Sequence, residues 1–247
     1  MDNHIIILAG GKGTRMKAEC PKVLCKIKGI SIIQHLLLGL GHSWNISIII
    51  GHKGEEIIKK LGSQYHYIWQ NEQLGTGHAV KCAMPHLIHK IFKNIIVIPG
   101  DHPFINAGTI RCLLNSREEN NACISLASLI APDFNNEYKS FYNCGRVIRD
   151  CAGNIMDIVE VKDAKTEEKL IKEVNVSQYC FDGEWLWKNI DKIDNNNNAK
   201  EYYLTDLIKI AFLQNKKVCS FHIKKKEGIG ANTLEQISLL ELLEVQD

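Results

Sequence analysis

Runs of consecutive apolar residues along this chain alternate with stretches whose apolar positions recur at helical spacing. Ile5-Ile6-Ile7-Leu8 is apolar at every position and β-branched at three of them. That pattern suits a strand buried on both faces of a parallel sheet. By the same reasoning strands are predicted at 5–8, 46–50, 67–69, 95–98, 122–127, 146–149, 155–161, 177–181 and 218–222. Helices are predicted at 32–41, 54–61, 77–84 and 107–116. Strand–helix alternation in the first half argues for an α/β fold, a mostly parallel sheet with helices on both faces. The second half reads as more strand-rich and irregular, which suits an added antiparallel portion. Leu234, Ile237, Leu240 and Leu243, joined by Leu239 and Leu242, give the last segment a broad apolar helical face. We therefore expect one domain over 1–232 and a C-terminal helix over 233–247, packed on its own domain or available for self-association or a partner. Asn195 to Asn198 reads as an exposed loop, and no internal repeat is present.

Composition narrows the class. A hydrophobic content of 45% and a charged content of 23% over 247 residues are ordinary for a globular chain. The net charge of +2 argues against a general footprint for nucleic acid or a membrane surface. The short basic run Lys224-Lys225-Lys226 reads as a solvated turn. No apolar stretch approaches the ~20 residues that cross a bilayer, and Met1-Asp2-Asn3-His4 does not resemble a secretory leader. The nine cysteines are scattered and odd in number, so free thiols in a reducing cytoplasm are the simpler expectation. Cys20 and Cys25 flank Pro21-Lys22 without a second Cys/His pair at zinc spacing. His86 and His89 read as a surface pair.

The candidate chemistry starts directly after the first strand. Leu8 and Ala9 lead into Gly10, Gly11 and Gly13, which allow a sharp turn and close approach to a ligand. Successive N–H groups in such a turn make a concave anion site. Arg15 adds a planar fork of donors for phosphate oxygens, and Lys22 adds a point charge next to Pro21. The P-loop pattern is absent, and the dinucleotide fingerprint fails because Met16 stands where its third glycine belongs. Taken alone, the loop is also consistent with an ordinary glycine-rich strand-to-helix turn. Asp101 lies just beyond the strand Ile95–Ile98, between Gly100 and His102-Pro103. A carboxylate there can bind Mg²⁺, a hard ion that takes one or two carboxylates plus substrate phosphates. Gln70, Gly75 and Thr76 follow the strand ending at Trp69. They offer an amide donor and acceptor, close backbone approach and a hydroxyl, a set suited to a pyrimidine edge. Ligands of open α/β sheets sit beyond the carboxyl ends of the strands, where all three segments lie.

LAGGKGTRM with Pro21-Lys22-Val23-Leu24 resembles the motif of the sugar-phosphate nucleotidyltransferases. More narrowly, the chain is similar to the uridylyltransferase domain of bacterial N-acetylglucosamine-1-phosphate uridylyltransferases. The resemblance extends in order through QNEQLGTGHAV (70–80), PGDHPFI (99–105), CGRVIRD (144–150), IVEVKDA (158–164), EVN (173–175), EYYLTD (201–206) and GAN (230–232). It implies a Rossmann-like nucleotide-diphospho-sugar transferase fold and UMP transfer from UTP to N-acetylglucosamine 1-phosphate, an Mg²⁺-dependent step toward cell-wall precursors. It implies Arg15 on the β- and γ-phosphates and Lys22 on the attacking and α-phosphates. It also implies Asp101 with Asn232 on the metal, and Gly145, Glu160 and Asn175 around the sugar. Uridine preference comes from the resemblance alone. The bifunctional members continue into a β-helix that carries acetyltransfer, so none is expected of this chain. Three departures stand out. The family's Asn-Thr-Gly is Asn175-Val176-Ser177, its Tyr-Gly-Arg is Cys144-Gly145-Arg146, and His102 and Phe104 replace a small apolar residue and a leucine. Another sugar or polyol phosphate, another nucleoside triphosphate, or a nucleotide-sugar-binding module without turnover remain open at this point.

Overall fold

The computed structural model describes residues 2–11, 13, 16 and 20–244. In chain order the elements are β1 (Asn3–Leu8), β2 (Lys26–Ile27), β3 (Ile30–Ser31), α1 (Ile32–Leu40), β4 (Asn45–Ile50), α2 (Gly54–Leu61) and β5 (His66–Trp69). They continue with α3 (Thr76–Leu87), β6 (Asn94–Pro99), α4 (Ala107–Glu119), β7 (Ile124–Ile130), β8 (Arg146–Arg149), β9 (Ile155–Val159) and α5 (Thr166–Lys169). The chain then forms β10 (Glu173–Asp182), α6 (Gly183–Asn189), α7 (Asp206–Leu213), β11 (Val218–His222), α8 (Lys225–Gly228) and α9 (Leu234–Glu244).

The main sheet runs β11-β7-β10-β6-β1-β4-β5, with β8 beside β10 and β9 beside β8. β1 pairs in parallel with β4 and β6, placing Ile5 opposite Ile46 and Ile96. Ile5, Ile6 and Ile7 have no exposed surface. Ile6 belongs to one core layer and Ile5 and Ile7 to the other, as strand alternation requires. β10 is antiparallel to both β6 and β7 and lies between them. This is the antiparallel portion expected from the second half. It carries residues 173–175 to the same edge as the loops after β1 and β6.

Element ends depart from the sequence expectation for local reasons. β7 starts at Ile124 because the Ala122 and Cys123 amides donate to Arg117 and Lys217 instead of the ladder. β10 begins at Glu173, not at residue 177, because a bulge between Asn175 and Tyr179 hides its continuity. α3 continues past Pro85, and the Ile88 amide still reaches Met84 O at 2.9 Å. Helices α6 and α7 lie in the irregular half, where the apolar pattern predicts none. Asp182 caps α6 by accepting from the Trp185 amide at 2.9 Å, a cap signal present in the sequence. α4 opens on a capping box formed by Asn106 and Thr109. α9 has a narrower apolar face than its leucines suggest. Leu240 is buried, with Ile237, Leu239 and Leu243 against the same cluster, while Leu234 and Leu242 are exposed. Among the described residues no helix is long and apolar enough to cross a membrane.

Candidate functional site

The carboxyl ends of β1, β4, β5 and β6 share one edge of the sheet, and the segments leaving it line a cleft of about 590 Å³. Leu8, Ala9, Gly10, Gly11, Lys22, Gln70, Gly75, Thr76 and Asp101 line its parallel half. Gly145, Glu160, Asn175 and Asn232 line the half built on β8, β9, β10 and the segment before α9. Gly13 stands behind Lys22. Its φ is +61°, and a Cβ there would come within 3.0 Å of Lys22 Cβ. Arg15 lies outside the described residues.

The centre of the cleft is a lysine bridging two oxygens. Lys22 Nζ donates to Asp101 Oδ2 at 2.5 Å and to Asn232 Oδ1 at 3.0 Å. The fold brings these distant residues together through backbone. Gly100 N donates to Leu8 O at 2.9 Å, fixing the turn after β6 against β1, and Ala231 N donates to Asp101 O at 2.9 Å. Burial alone would raise the Asp101 carboxyl. The Lys22 charge, the neighbouring His102 and hydrogen bonds from Lys22 and the backbone outweigh it and hold the group at about 2. Asp101 is therefore an anion at neutral pH despite being only 8% exposed.

The Gln70 corner differs from the sequence expectation. The Gln70 amide nitrogen donates to Gly75 O at 3.0 Å and approaches His78 Nδ1 at 3.1 Å. Its donor side is thus engaged within the fold, leaving the carbonyl oxygen by Gly10. The Thr76 hydroxyl accepts from Leu204 N at 3.1 Å. Gly75 has φ +111°, and a Cβ there would meet Tyr202 O at 2.5 Å. The approach of the 201–204 segment by itself requires glycine here.

At the far end, Asn175 N donates to Gly145 O at 2.9 Å. The Asn175 side chain is buried and works inside the β10 bulge. Its Nδ2 donates to Tyr179 Oη at 2.6 Å and its Oδ1 accepts from Ser177 N at 3.1 Å. Glu160 Oε1 accepts from the Thr205 hydroxyl at 3.3 Å. Burial pushes the Glu160 carboxyl up from 4.5 to about 7, with Asp163, Asp206 and Glu201 adding to the rise against the Thr205 bond. Behind the Gly145 turn, Arg146 is fully buried. It donates to the Cys144, Tyr142 and Lys169 carbonyls and lies 4.5 Å from the Phe134 ring centroid.

Ser177 holds φ +62°, a left-handed conformation that costs an L-residue about 1–2 kcal/mol. The sequence motif has glycine at this point, and the backbone explains why. Ser177→Gly should stabilise the protein by about 0.5–1 kcal/mol after the extra chain entropy of glycine is offset. At this chain length that is a rise of roughly 1–4 °C in Tm. Thermal unfolding checks it, and an unchanged or lower Tm would show that the Ser177 side chain outweighs the strain.

Sequence reasoning misses Gln236 and His102 as cleft groups, and Thr205 as the hydroxyl that bonds Glu160. Thr205 lies within a recognised segment but has no chemistry attached there. Gln236 lines the cleft from α9, and its signal is the capping pattern Thr233-x-x-Gln236. His102 stands out in the sequence only as a departure from the family pattern. Its imidazole lines the cleft, buried, with Nδ1 lacking a hydrogen-bond partner.

The family model of the MobA-like NTP transferase domain matches residues 5–158. The bifunctional protein GlmU of Clostridium tetani is 37% identical over 246 residues, covering 98% of this chain and 52% of that protein. GlmU of Brevibacillus brevis is 35% identical over 241 residues, covering 96% of this chain and 50% of that protein. The chain thus spans about half the length of these curated relatives. A solved structure of UDP-glucose pyrophosphorylase complexed with UDP-glucose matches with a TM-score of 0.75 at 14% identity, over 100% of this chain and 99% of that one. That likeness is one of fold.

Proposed function

Because this chain belongs to the MobA-like NTP transferase family, we propose that it transfers UMP from UTP to N-acetylglucosamine 1-phosphate, releasing pyrophosphate. The observation that carries the reading is the cation-bridged oxygen pair of Asp101 and Asn232, set between the glycine turn after β1 and the Glu160–Asn175 end of one cleft. A nucleotide and a sugar phosphate would meet at such a pair. GlmU relatives matching nearly the whole chain support the same reading.

The sugar phosphate is already an anionic nucleophile, so the step needs no general base. One of its oxygens forms the new bond to the α-phosphorus. The bond from that phosphorus to the β-phosphate bridging oxygen breaks, and the electron pair leaves with pyrophosphate. The protein's task is positioning and charge stabilisation. Asp101 and Asn232 fit a hard divalent ion. They present two oxygens, one anionic, and in this structure a single ammonium already stands between them. Bound Mg²⁺ would supply electrostatic stabilisation of phosphate oxygens. Lys22 would then turn from these two residues to the phosphates, and Arg15 would hold the outer ones.

At the acceptor end, the Glu160 carboxylate would accept hydrogen bonds from sugar hydroxyls. Its pKa near 7 means that proton loss must precede or accompany that binding at lower pH. KM for the acceptor should therefore fall as pH rises from about 6 to 8, and Glu160→Gln should flatten this dependence while raising KM. A pH series of acceptor KM measures it. A flat wild-type profile would remove the Glu160 ionisation from recognition.

A second reading keeps the chemistry and changes the acceptor to another sugar or polyol phosphate. Cys144 and Ser177, both on the cleft wall at that end, favour keeping it in play. A pyrophosphate-release screen of four nucleoside triphosphates against a panel of sugar and polyol phosphates tests both. Turnover with a different pair would replace the proposed substrates. Silence across the panel with UTP still bound would indicate a binding module.

A further inference from the structure

We infer that Gln236, on the C-terminal helix, is a positioning residue that sets the Asn232 amide for metal binding, an inference that rests on reading Asn232 as a metal donor. Gln236 Oε1 accepts from the Asn232 backbone amide at 2.7 Å, and the Gln236 backbone N–H donates to Thr233 Oγ1 at 3.2 Å. The segment is fixed from its other side by the Ala231 amide, which donates to Asp101 O at 2.9 Å. The backbone that aims the Asn232 side chain is thus held between Asp101 and Gln236. Without Gln236 the Asn232 amide would keep only its longer turn bond to Gly230 O at 3.1 Å, and the Asn232 Oδ1 would shift from the point it shares with Asp101 Oδ2.

The helix is a firm support for this bond. Leu240 is fully buried among Ile27, Ile32 and their neighbours. Glu241 Oε1 accepts from the Lys28 amide at 3.2 Å. The β2–β3 hairpin so gripped comes directly after the turn carrying Lys22, where the Cys25 amide donates to Lys22 O at 3.1 Å. One helix therefore reaches both Lys22 and Asn232. Through Gln236 it restrains Asn232, and through the hairpin it restrains the base of Lys22. Gln236 itself touches Asn232 through backbone, so its effect is on donor geometry.

The test uses Gln236→Met, which keeps length without an acceptor oxygen, and Gln236→Glu, which restores one. Mn²⁺ is titrated into the full chain with UTP and no acceptor sugar, and protein-bound Mn²⁺ is followed by water-proton relaxation. Gln236→Met should weaken Mn²⁺ binding by about 10-fold, in the range seen when an outer partner of a metal ligand is lost. It should lower kcat by a similar factor at fixed Mg²⁺, with KM for the acceptor changed less. Gln236→Glu should return both to within about 2-fold of wild type, or bind Mn²⁺ more tightly. Asn232→Ala is measured in parallel. If it leaves Mn²⁺ binding unchanged, the metal reading of Asn232 fails and the inference with it. If Asn232→Ala weakens binding while Gln236→Met matches wild type, the inference alone fails. Equal impairment in the Met and Glu variants would mark a packing defect and also overturn it.

Discussion

Lys22→Ala is expected to lower turnover by roughly 10²–10³-fold, the scale of removing one preorganised charge stabiliser. Pyrophosphate release at saturating UTP and acceptor measures it. Lys22 Nζ lies 2.5 Å from Asp101 Oδ2 and 3.0 Å from Asn232 Oδ1, at the middle of the cleft. Its removal has two separable consequences. The phosphates lose a mobile cation, which should appear in kcat. Asp101 also loses the largest of the influences that lower its pKa, so its carboxyl should titrate at higher pH, and activity should fall earlier on acidification. Lys22→Arg should recover little, because a planar fork does not replace a compact ammonium. A near-wild-type rate for the alanine variant would remove Lys22 from the mechanism.

Asp101→Asn should cost about 10³-fold in turnover at ordinary Mg²⁺, and the Mg²⁺ concentration for half-maximal rate should rise at least ~10-fold. The substitution preserves shape and leaves an acceptor oxygen for Lys22. The Ala231 amide, which bonds to the main-chain oxygen at 101, is untouched. The fold should therefore survive, and a measured loss can be assigned to the missing charge. A magnesium titration with thermal unfolding as control decides the point. An unchanged magnesium requirement would place the metal elsewhere.

Much of the site is legible in the sequence because its parts are tied to strand ends. Ile5–Leu8 and Ile95–Ile98 are unbroken apolar runs, and the residues just past a buried parallel strand must emerge at the ligand edge. Asp101 and the glycine turn can be placed by that rule alone. Asn175 is harder. Its strand contains a bulge with Ser177 at φ +62°, which breaks the period-two pattern that reveals strands. α7 escapes because Asp206–Leu213 is apolar at six of eight positions, with only Asp206 and Lys209 to mark a polar face. Gln236 is easy to pass over for another reason. Thr233-x-x-Gln236 marks a helix start, but not that the amide its side chain meets is that of Asn232. For Gln70 the sequence shows a donor and an acceptor, but not that Gly75 and His78 engage the donor.

The insertion of β10 between β6 and β7 governs how the chain can assemble during synthesis. When residues 94–130 have emerged, β6 and β7 both exist, yet they cannot pair with each other in the native sheet. Each must wait for β10, which starts only at Glu173. Through that interval the β6 edge, Asn-Ile-Ile-Val-Ile-Pro, is an open row of backbone donors and acceptors with apolar faces, the kind of edge that invites pairing with another chain. The strand that carries Asn175 is therefore also the piece that joins β6 to β7 in the sheet. A nascent chain stalled before it would hold a near-complete parallel half of the sheet and an unprotected edge, and would be expected to depend on chaperones until β10 arrives.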